Sequence, residues 1–201
     1  QAGGSRNPVT QRLLRHFNVL NFLEMNDTQT KKIFTQIVEW WATKQFDANI
    51  LKEISPKIVG ACKKVVDIGV QIYDKVRAGL LPTPSREHYM FNLRDISKLF
   101  QGFMMIEPKS IYLDAIKSKE TQQQVFLDQN ACVGNILKVF IHELGRVFGD
   151  RLINNEDNKW LTNVIDESLQ KSIGLKIQDL IPNTSEQNQI FGDFCTSGQI
   201  K

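Results

Sequence analysis

The feature that most constrains the fold is a helix start at Asn92. Asn92 is a preferred N-cap residue, and Asp95, three positions later, stands where a capping-box acid belongs. Apolar residues then recur at the spacing of one buried helix face, namely Leu93, Ile96, Leu99, Phe100 and Phe103. Arg94 is unusual, because a cation in the first turn opposes the positive end of the helix dipole. Either Asp95 or solvent compensates its charge, or the site meets an anion, which the dipole and free backbone N–H groups also favour.

The composition is that of an ordinary globular protein. The 201 residues are enough for one large domain or two small ones. Of them, 41% are hydrophobic and 23% are charged, as in ordinary globular proteins. The net charge of +3 is too small to favour nucleic acid or an anionic membrane as a partner. No apolar run reaches membrane-spanning length, and no signal-peptide pattern opens the sequence. Three scattered cysteines, Cys62, Cys132 and Cys195, suit a reducing compartment, so we expect a cytosolic location.

Helical patterns cover most of the chain. They predict helices over residues 27–44, 55–79, 93–102 and 154–173, and a long helix between 121 and 148 with a potential break near Gly134. Residues 80–84 contain two prolines and are expected to be extended. We expect the first helix to bury Ile33, Phe34, Ile37, Val38 and Trp41, and the other tryptophans, Trp40 and Trp160, to lie in the core as well. The fold class predicted is therefore all-α.

One segment does not fit a purely helical chain. Residues 17–23 alternate apolar and polar side chains, which predicts one short strand. A single strand cannot satisfy its own backbone groups, and no second strand pattern follows. Its partners are therefore expected outside this chain, in a domain that begins upstream.

No motif for catalysis or for cofactor binding is found. The P-loop signature is missing, His16, His88 and His142 lack metal-binding spacing, and no Ser or Cys lies in a nucleophile motif. We therefore expect no metal site and no catalysis in the chain itself, and no appreciable ATP binding by it alone. A cluster of charged residues at helical spacing is typical of solvated ion pairs; its members are Glu143, Arg146, Asp150 and Arg151.

Five segments, in order along the chain, resemble axonemal dynein heavy chains. They are GGSRNPVTQRLLRHFN (3–18), LPTP (81–84), HYMFNLRDISKLFQG (88–102), HELGRVFGDRL (142–152) and IFGDF (190–194). The first resembles the end of the large subdomain of an AAA+ module. The second and third look like the lid of the third module, the fourth like the helix after it, and the last like the beginning of the fourth module. The family usually has glycine where Ser5 stands and proline where Gln11 stands.

The resemblance implies an AAA+ lid-type helical bundle with additional long helices and one short N-terminal strand. The implied divisions are the end of the large subdomain at 1–26, the helical lid at 27–108, an additional helical segment at 109–181 and a linker toward the next module at 182–201.

The resemblance also implies roles for four arginines. Arg94 matches the sensor-2 arginine of AAA+ lids, which reaches the γ-phosphate held by its own module. Arg12 falls where AAA+ modules place the arginine finger, which serves the nucleotide of the adjacent module, and Arg15 and Arg6 are further candidates for that role. Guanidinium groups suit these tasks because they are planar, permanently charged donors.

The implied function is that of a non-catalytic lid and linker in a microtubule motor ATPase, which senses nucleotide and transmits conformational change. ATP or ADP with Mg²⁺ would be bound by the parent module. The implied partners are the adjacent AAA+ modules of the same heavy chain and, through that chain, the microtubule, with no nucleic acid and no membrane. The implied location is cytoplasmic, in the cytoskeleton of a ciliary or flagellar axoneme.

Two other functions compete with this one. A free-standing helical protein-interaction module fits the helical pattern, but it gives no reason for a strand at 17–23. An independent enzyme is disfavoured because no catalytic motif occurs.

Overall fold

A computed structural model describes residues 9–20, 25–46, 55–106 and 129–181. In chain order they form α1 (Gln11–Leu14), α2 (Asp27–Phe46), α3 (Ser55–Gly79), α4 (Leu93–Phe103), α5 (Gln129–Phe148), a short 3-10 helix (Gly149–Arg151), α6 (Asn155–Ile173) and α7 (Ile177–Leu180). Within these ranges the only strand-like pairing is an isolated bridge between Thr83 and Arg86. The predicted all-α class is confirmed.

The long helix α3 forms the centre of the bundle. It packs against α2, α4, α5 and α6, and its side chains are buried on more than one face because several helices surround it. The fully buried residues include Ile58, Cys62, Val65, Val66, Ile72 and Val76. At its last residue, Gly79, an added Cβ would lie 2.7 Å from the indole of Trp160 on α6. The glycine therefore permits close packing of Trp160 on the end of α3.

The predicted buried face of α2 is only partly correct. Phe34, Val38 and Trp41 are buried as expected, and Trp41 lies 5.7 Å, between ring centroids, from Phe103 of α4. Ile33, Ile37 and Trp40 are instead exposed, with 41%, 41% and 65% of their surface accessible. Because α2 packs mainly on α3, it buries one arc of its surface, and these three residues lie outside that arc.

The C-terminal helices share one apolar core with α2, α3 and α4, which extends from Phe34 to Leu180. Helix α5 continues through Gly134 without the predicted break, and an added Cβ there would meet no atom within 4 Å. Helix α6 begins after Asn154, as predicted, and ends at Gly174, whose φ of 81° is left-handed. The predicted division at residue 108 remains a prediction; residues 107–128 lie outside the described ranges.

The predicted N-terminal strand is not formed over residues 17–20. Phe17, Val19 and Leu20 are exposed by 63%, 68% and 79%, and no strand in the described ranges lies beside them to complete a ladder. Residues 21–24, which include the rest of the predicted strand, lie outside the described part of the chain, as does the predicted linker from residue 182.

Candidate functional site

The beginning of α4 has the predicted cap. Asn92 is extended, with φ −133° and ψ 177°, and its Oδ1 accepts the backbone N–H of Arg94 at 2.8 Å. The backbone N–H of Asn92 donates in return to Oδ2 of Asp95 at 2.9 Å. The capping box is therefore present, with aspartate in place of the commoner glutamate. It fixes the backbone of the first turn, from which the Arg94 side chain extends.

Arg94 lies on the rim of a cleft of about 620 Å³ between the starts of α2 and α4 and the end of α3. The lining residues, which we call the Arg94 cleft, are Met25, Asp27, Thr30, Tyr73, Asp74, Arg77, Phe91, Asn92, Leu93 and Arg94. Arg94 is exposed, and among the described residues its guanidinium has no hydrogen-bond or ion-pair partner. Compensation by Asp95 was one of the sequence-based alternatives, and it is wrong because Asp95 binds another arginine.

The Arg94 cleft carries charges of both signs. Burial, and then the nearby carboxylate of Asp27, raise the pKa of Asp74, while Arg77 opposes them. Burial likewise raises the pKa of the Tyr73 hydroxyl. The two carboxylates disfavour an anion on their side of the cleft. An anion would therefore be met at the rim, where Arg94 stands at the positive end of α4.

Asp95 binds Arg151, which lies at the end of the 3-10 helix. Only 2% of the surface of Asp95 is exposed. The same guanidinium donates through Nη1 to the carbonyl oxygen of Met90 at 3.2 Å. Its Cζ also lies 5.4 Å from the ring centroid of Phe91, within cation–π range. Arg151 thus contacts the chain on both sides of the cap at Asn92.

A second group of contacts holds the segment before α4. Asp157 of α6 accepts hydrogen bonds at 2.9 Å from both Arg86 Nη1 and the Tyr89 hydroxyl, and that hydroxyl accepts the N–H of Ile153 at 3.0 Å. We call the set Arg86, Tyr89, Asp95, Arg151 and Asp157 the α4 clamp. It attaches residues 86–95 to the corner between α5 and α6.

The other end of α4 packs on a buried acid of α5. Glu143 is 7% exposed and accepts from Arg146 Nη2 at 2.6 Å, and its Oε1 lies 3.4 Å from His142 Nδ1. Burial acts to raise the pKa of Glu143, but the nearby His142 ring and the hydrogen bonds from Arg146 outweigh it and lower that pKa. Of the predicted solvated cluster Glu143, Arg146, Asp150 and Arg151, the ion pair between Glu143 and Arg146 is present at helical spacing, but the Glu143 carboxylate is buried. Arg151 pairs with Asp95 of another helix instead.

The remaining arginine candidates are not brought to the Arg94 cleft. Arg12 lies in α1 and Arg15 follows it directly; both are exposed, and neither lines the cleft. Arg6 lies outside the described residues. The sequence reasoning also missed the α4 clamp, since its members come from two segments about 60 residues apart and no local pattern connects them.

The described ranges contain no group of three or more His, Cys, Asp or Glu side chains placed to hold a metal ion. Cys62 and Cys132 are both buried, and burial raises the pKa of the Cys62 thiol to about 12. None of the described helices combines the length and the apolar character needed to cross a membrane.

Comparison with known protein families matches residues 65–183 to the AAA+ lid domain. Dynein axonemal heavy chain 1 of Mus musculus is 35% identical over 199 residues, which are 98% of this chain and 4% of that relative. Dynein axonemal heavy chain 6 of Homo sapiens is also 35% identical over 199 residues, 99% of this chain and 4% of its own length. Dynein axonemal heavy chain 12 of Mus musculus is 34% identical over 202 residues, 96% of this chain and 6% of its own.

Proposed function

This chain belongs to the AAA+ lid domain family and is similar along nearly all of its length to axonemal dynein heavy chains, and we propose from this that it acts as the nucleotide-sensing lid of an AAA+ module in a dynein heavy chain. The observation that carries the proposal is the exposed guanidinium of Arg94, which projects from a capped helix start at the rim of a cleft.

The chemistry of Arg94 suits recognition of a terminal phosphate. A phosphoryl group spreads negative charge over its oxygens, and a guanidinium offers planar, permanently charged donors to them. The Arg94 side chain has no competing partner among the described residues, so no ion pair has to break before it meets an anion. Only ATP offers the γ-phosphate, so contact with Arg94 would distinguish ATP from ADP.

The shared core supports the second part of the proposal, the transmission of movement. Helices α2 to α6 bury their apolar faces in one cluster, so a displacement at the start of α4 is carried by closely packed side chains into the rest of the bundle. In this role the chain itself performs no catalysis. The bound nucleotide and Mg²⁺ would belong to the rest of the parent module.

The parent protein would be an ATP-driven microtubule motor of an axoneme, in a cilium or flagellum. The partners of this chain would be the adjacent AAA+ modules of the same heavy chain. Arg12, Arg15 and Arg6 would serve the nucleotide of such a neighbour, and the exposure of Arg12 and Arg15 leaves them accessible for it.

One observation favours a second function, that of a helical interaction module. Ile33, Ile37 and Trp40 form an exposed apolar row along α2, at a spacing that suits contact with another protein. The row is compatible with a lid that contacts other modules, so the two functions are not exclusive.

A structure of the intact heavy chain with a non-hydrolysable ATP analogue tests the sensing role. We expect a nitrogen of Arg94 within about 3.2 Å of a γ-phosphate oxygen, and no such contact with ADP. If the Arg94 guanidinium stays in solvent with both nucleotides while the lid is closed, the sensing role is wrong.

A further inference from the structure

We propose that Arg151 is the positioning residue for Arg94: it holds the start of α4 in place and so sets the point from which Arg94 reaches an anion. The inference rests on the proposed function of Arg94 for its effect on nucleotide, but its geometric part can be tested without nucleotide. Arg151 lies 56 positions after Asp95 in sequence, and of the residues its guanidinium contacts, Met90, Phe91 and Asp95, only Phe91 lines the cleft.

The first argument is that one guanidinium bridges both sides of the helix cap. Nη2 of Arg151 donates to Oδ1 of Asp95, and Nη1 donates to the carbonyl of Met90. Met90 precedes Asn92 by two positions, and Asp95 follows it by three. The segment that enters the helix and the first turn of the helix are therefore fixed against the same group. A lysine could not do this equally well, because its ammonium is a point charge without a planar fork.

The second argument is that Asp95 has two tasks which depend on each other. Its Oδ2 accepts the N–H of Asn92 and so completes the capping box, while its Oδ1 binds Arg151. The carboxylate is almost completely buried, and a buried charge without its partner is strongly unfavourable. Without Arg151, Asp95 would have to move toward solvent, and its bond to the cap would break.

The third argument concerns what else moves with Arg151. This residue ends the 3-10 helix that joins α5 to α6, and Asp157 on α6 holds Tyr89 and Arg86 in the same segment. A displacement of the α5–α6 corner therefore displaces the start of α4.

Amide hydrogen exchange in the chain itself tests the geometric part. Arg151→Met should speed exchange of the Asn92 amide roughly tenfold, because that N–H donates to Asp95. It should also speed exchange of the Arg94 amide, because that N–H donates to the side chain of Asn92, whose position the bond to Asp95 helps to fix. Arg146→Met is the matched control, since it removes the ion pair with Glu143 at the other end of α4. It should leave those two amides at the parent rate. If Arg151→Met also leaves them at the parent rate, the proposal is overturned.

A double-mutant comparison in the intact heavy chain tests the functional part. We expect Arg151→Met to reduce the preference for MgATP over MgADP by roughly tenfold, and to reduce it no further once Arg94→Ala is present. An equal reduction with and without Arg94 would overturn the proposal, since Arg151 would then act by another route.

Two further results separate this proposal from the proposed function. If Arg94→Ala alone leaves the ATP preference unchanged, nucleotide sensing is wrong, and the amide exchange of Asn92 and Arg94 alone decides whether Arg151 positions the helix. If Arg151→Met does not fold, Arg151→Lys replaces it in both experiments. It keeps a positive charge beside Asp95 but loses the two-nitrogen bridge, so we expect faster exchange at Asn92 and Arg94, and unchanged exchange overturns the proposal.

Discussion

Asp95 binds Arg151, 56 residues further along the chain, and not Arg94, its neighbour in sequence. Arg94 and Arg151 both lie near Asp95, but only Arg151 forms an ion pair with it. Arg151 is held between Asp95, the Met90 carbonyl and the Phe91 ring. Arg94 is exposed and has no ion-pair partner in the described ranges, so its charge remains available for an anion.

Replacing Asp95 by Asn should lower the free energy of unfolding by about 2–4 kcal/mol, because it leaves Arg151 without its buried counter-charge and weakens the cap at Asn92. Chemical denaturation of the chain measures this. Asp67→Asn is a control, since Asp67 pairs with Lys31 at the surface, with 38% of its side chain exposed, and should change the free energy by less than about 1 kcal/mol. Equal effects of the two variants would contradict a structural role for the Asp95 pair.

Gly102→Ala should destabilise the chain by about 1–3 kcal/mol. An added Cβ would overlap the carboxylate of Glu143 and lie 2.9 Å from Nη2 of Arg146, so the ion pair between those residues would have to shift. Gly134→Ala in α5 is the matched control, because its Cβ would meet no atom within 4 Å. It should stabilise the helix by up to about 1 kcal/mol, since alanine has the higher helix propensity. Thermal unfolding of both variants would show opposite signs, and the same sign in both would be inconsistent with the packing at Gly102.

The Glu143 carboxylate should make the free energy of unfolding depend on pH in the acid range. Its pKa in the folded chain is lowered from the ordinary value of 4.5, so the folded state binds this proton less tightly than the unfolded state. The stabilisation is therefore complete above about pH 4.5 and is lost as the pH falls through the lower folded pKa. Glu143→Gln should cost about 1–2 kcal/mol at pH 7, and the difference from the parent should shrink as the pH is lowered below 4.5. A difference that stays constant from pH 7 to about pH 3 would show that the Glu143 charge does not contribute.

The adjacent tryptophans of α2, Trp40 and Trp41, should differ sharply in their contribution to the free energy of unfolding. Trp41 is 7% exposed and packs on Phe103, whereas Trp40 is 65% exposed. Trp41→Ala should cost about 3–5 kcal/mol by opening a cavity in the core, and Trp40→Ala less than about 1 kcal/mol. Denaturant titration of the two variants compares them directly. A large loss in Trp40→Ala would mean that this side chain is covered in solution.

How far the sequence predicts this structure depends on how local each feature is. The cap at Asn92 and the end of α3 at Gly79 follow from neighbouring residues, and they are confirmed. The exposed face of α2 could not be predicted, because Ile33 and Ile37 have the same spacing as buried residues and only the position of α3 decides which face is covered. The Arg151 contact could not be predicted either. For a charged residue in a helical sequence, the expected partner lies one turn away on the same helix. Asp95 instead pairs with Arg151, which lies in the 3-10 helix after α5.

The replacement of Arg94 by Ala tests the central claim most directly. In the intact heavy chain, the ratio of ATP to ADP affinity of the module should fall by roughly thirtyfold, the size expected for a lost charge-assisted contact of about 2 kcal/mol. The melting temperature of the chain itself should hardly change, because Asn92 and Asp95 still cap α4 and the buried face of the helix is untouched. Lys98→Ala, which removes another exposed cation one turn later, should leave the affinity ratio unchanged. If Arg94→Ala instead unfolds the chain and leaves the ATP to ADP ratio as it was, Arg94 is a structural residue and nucleotide sensing by this lid is refuted.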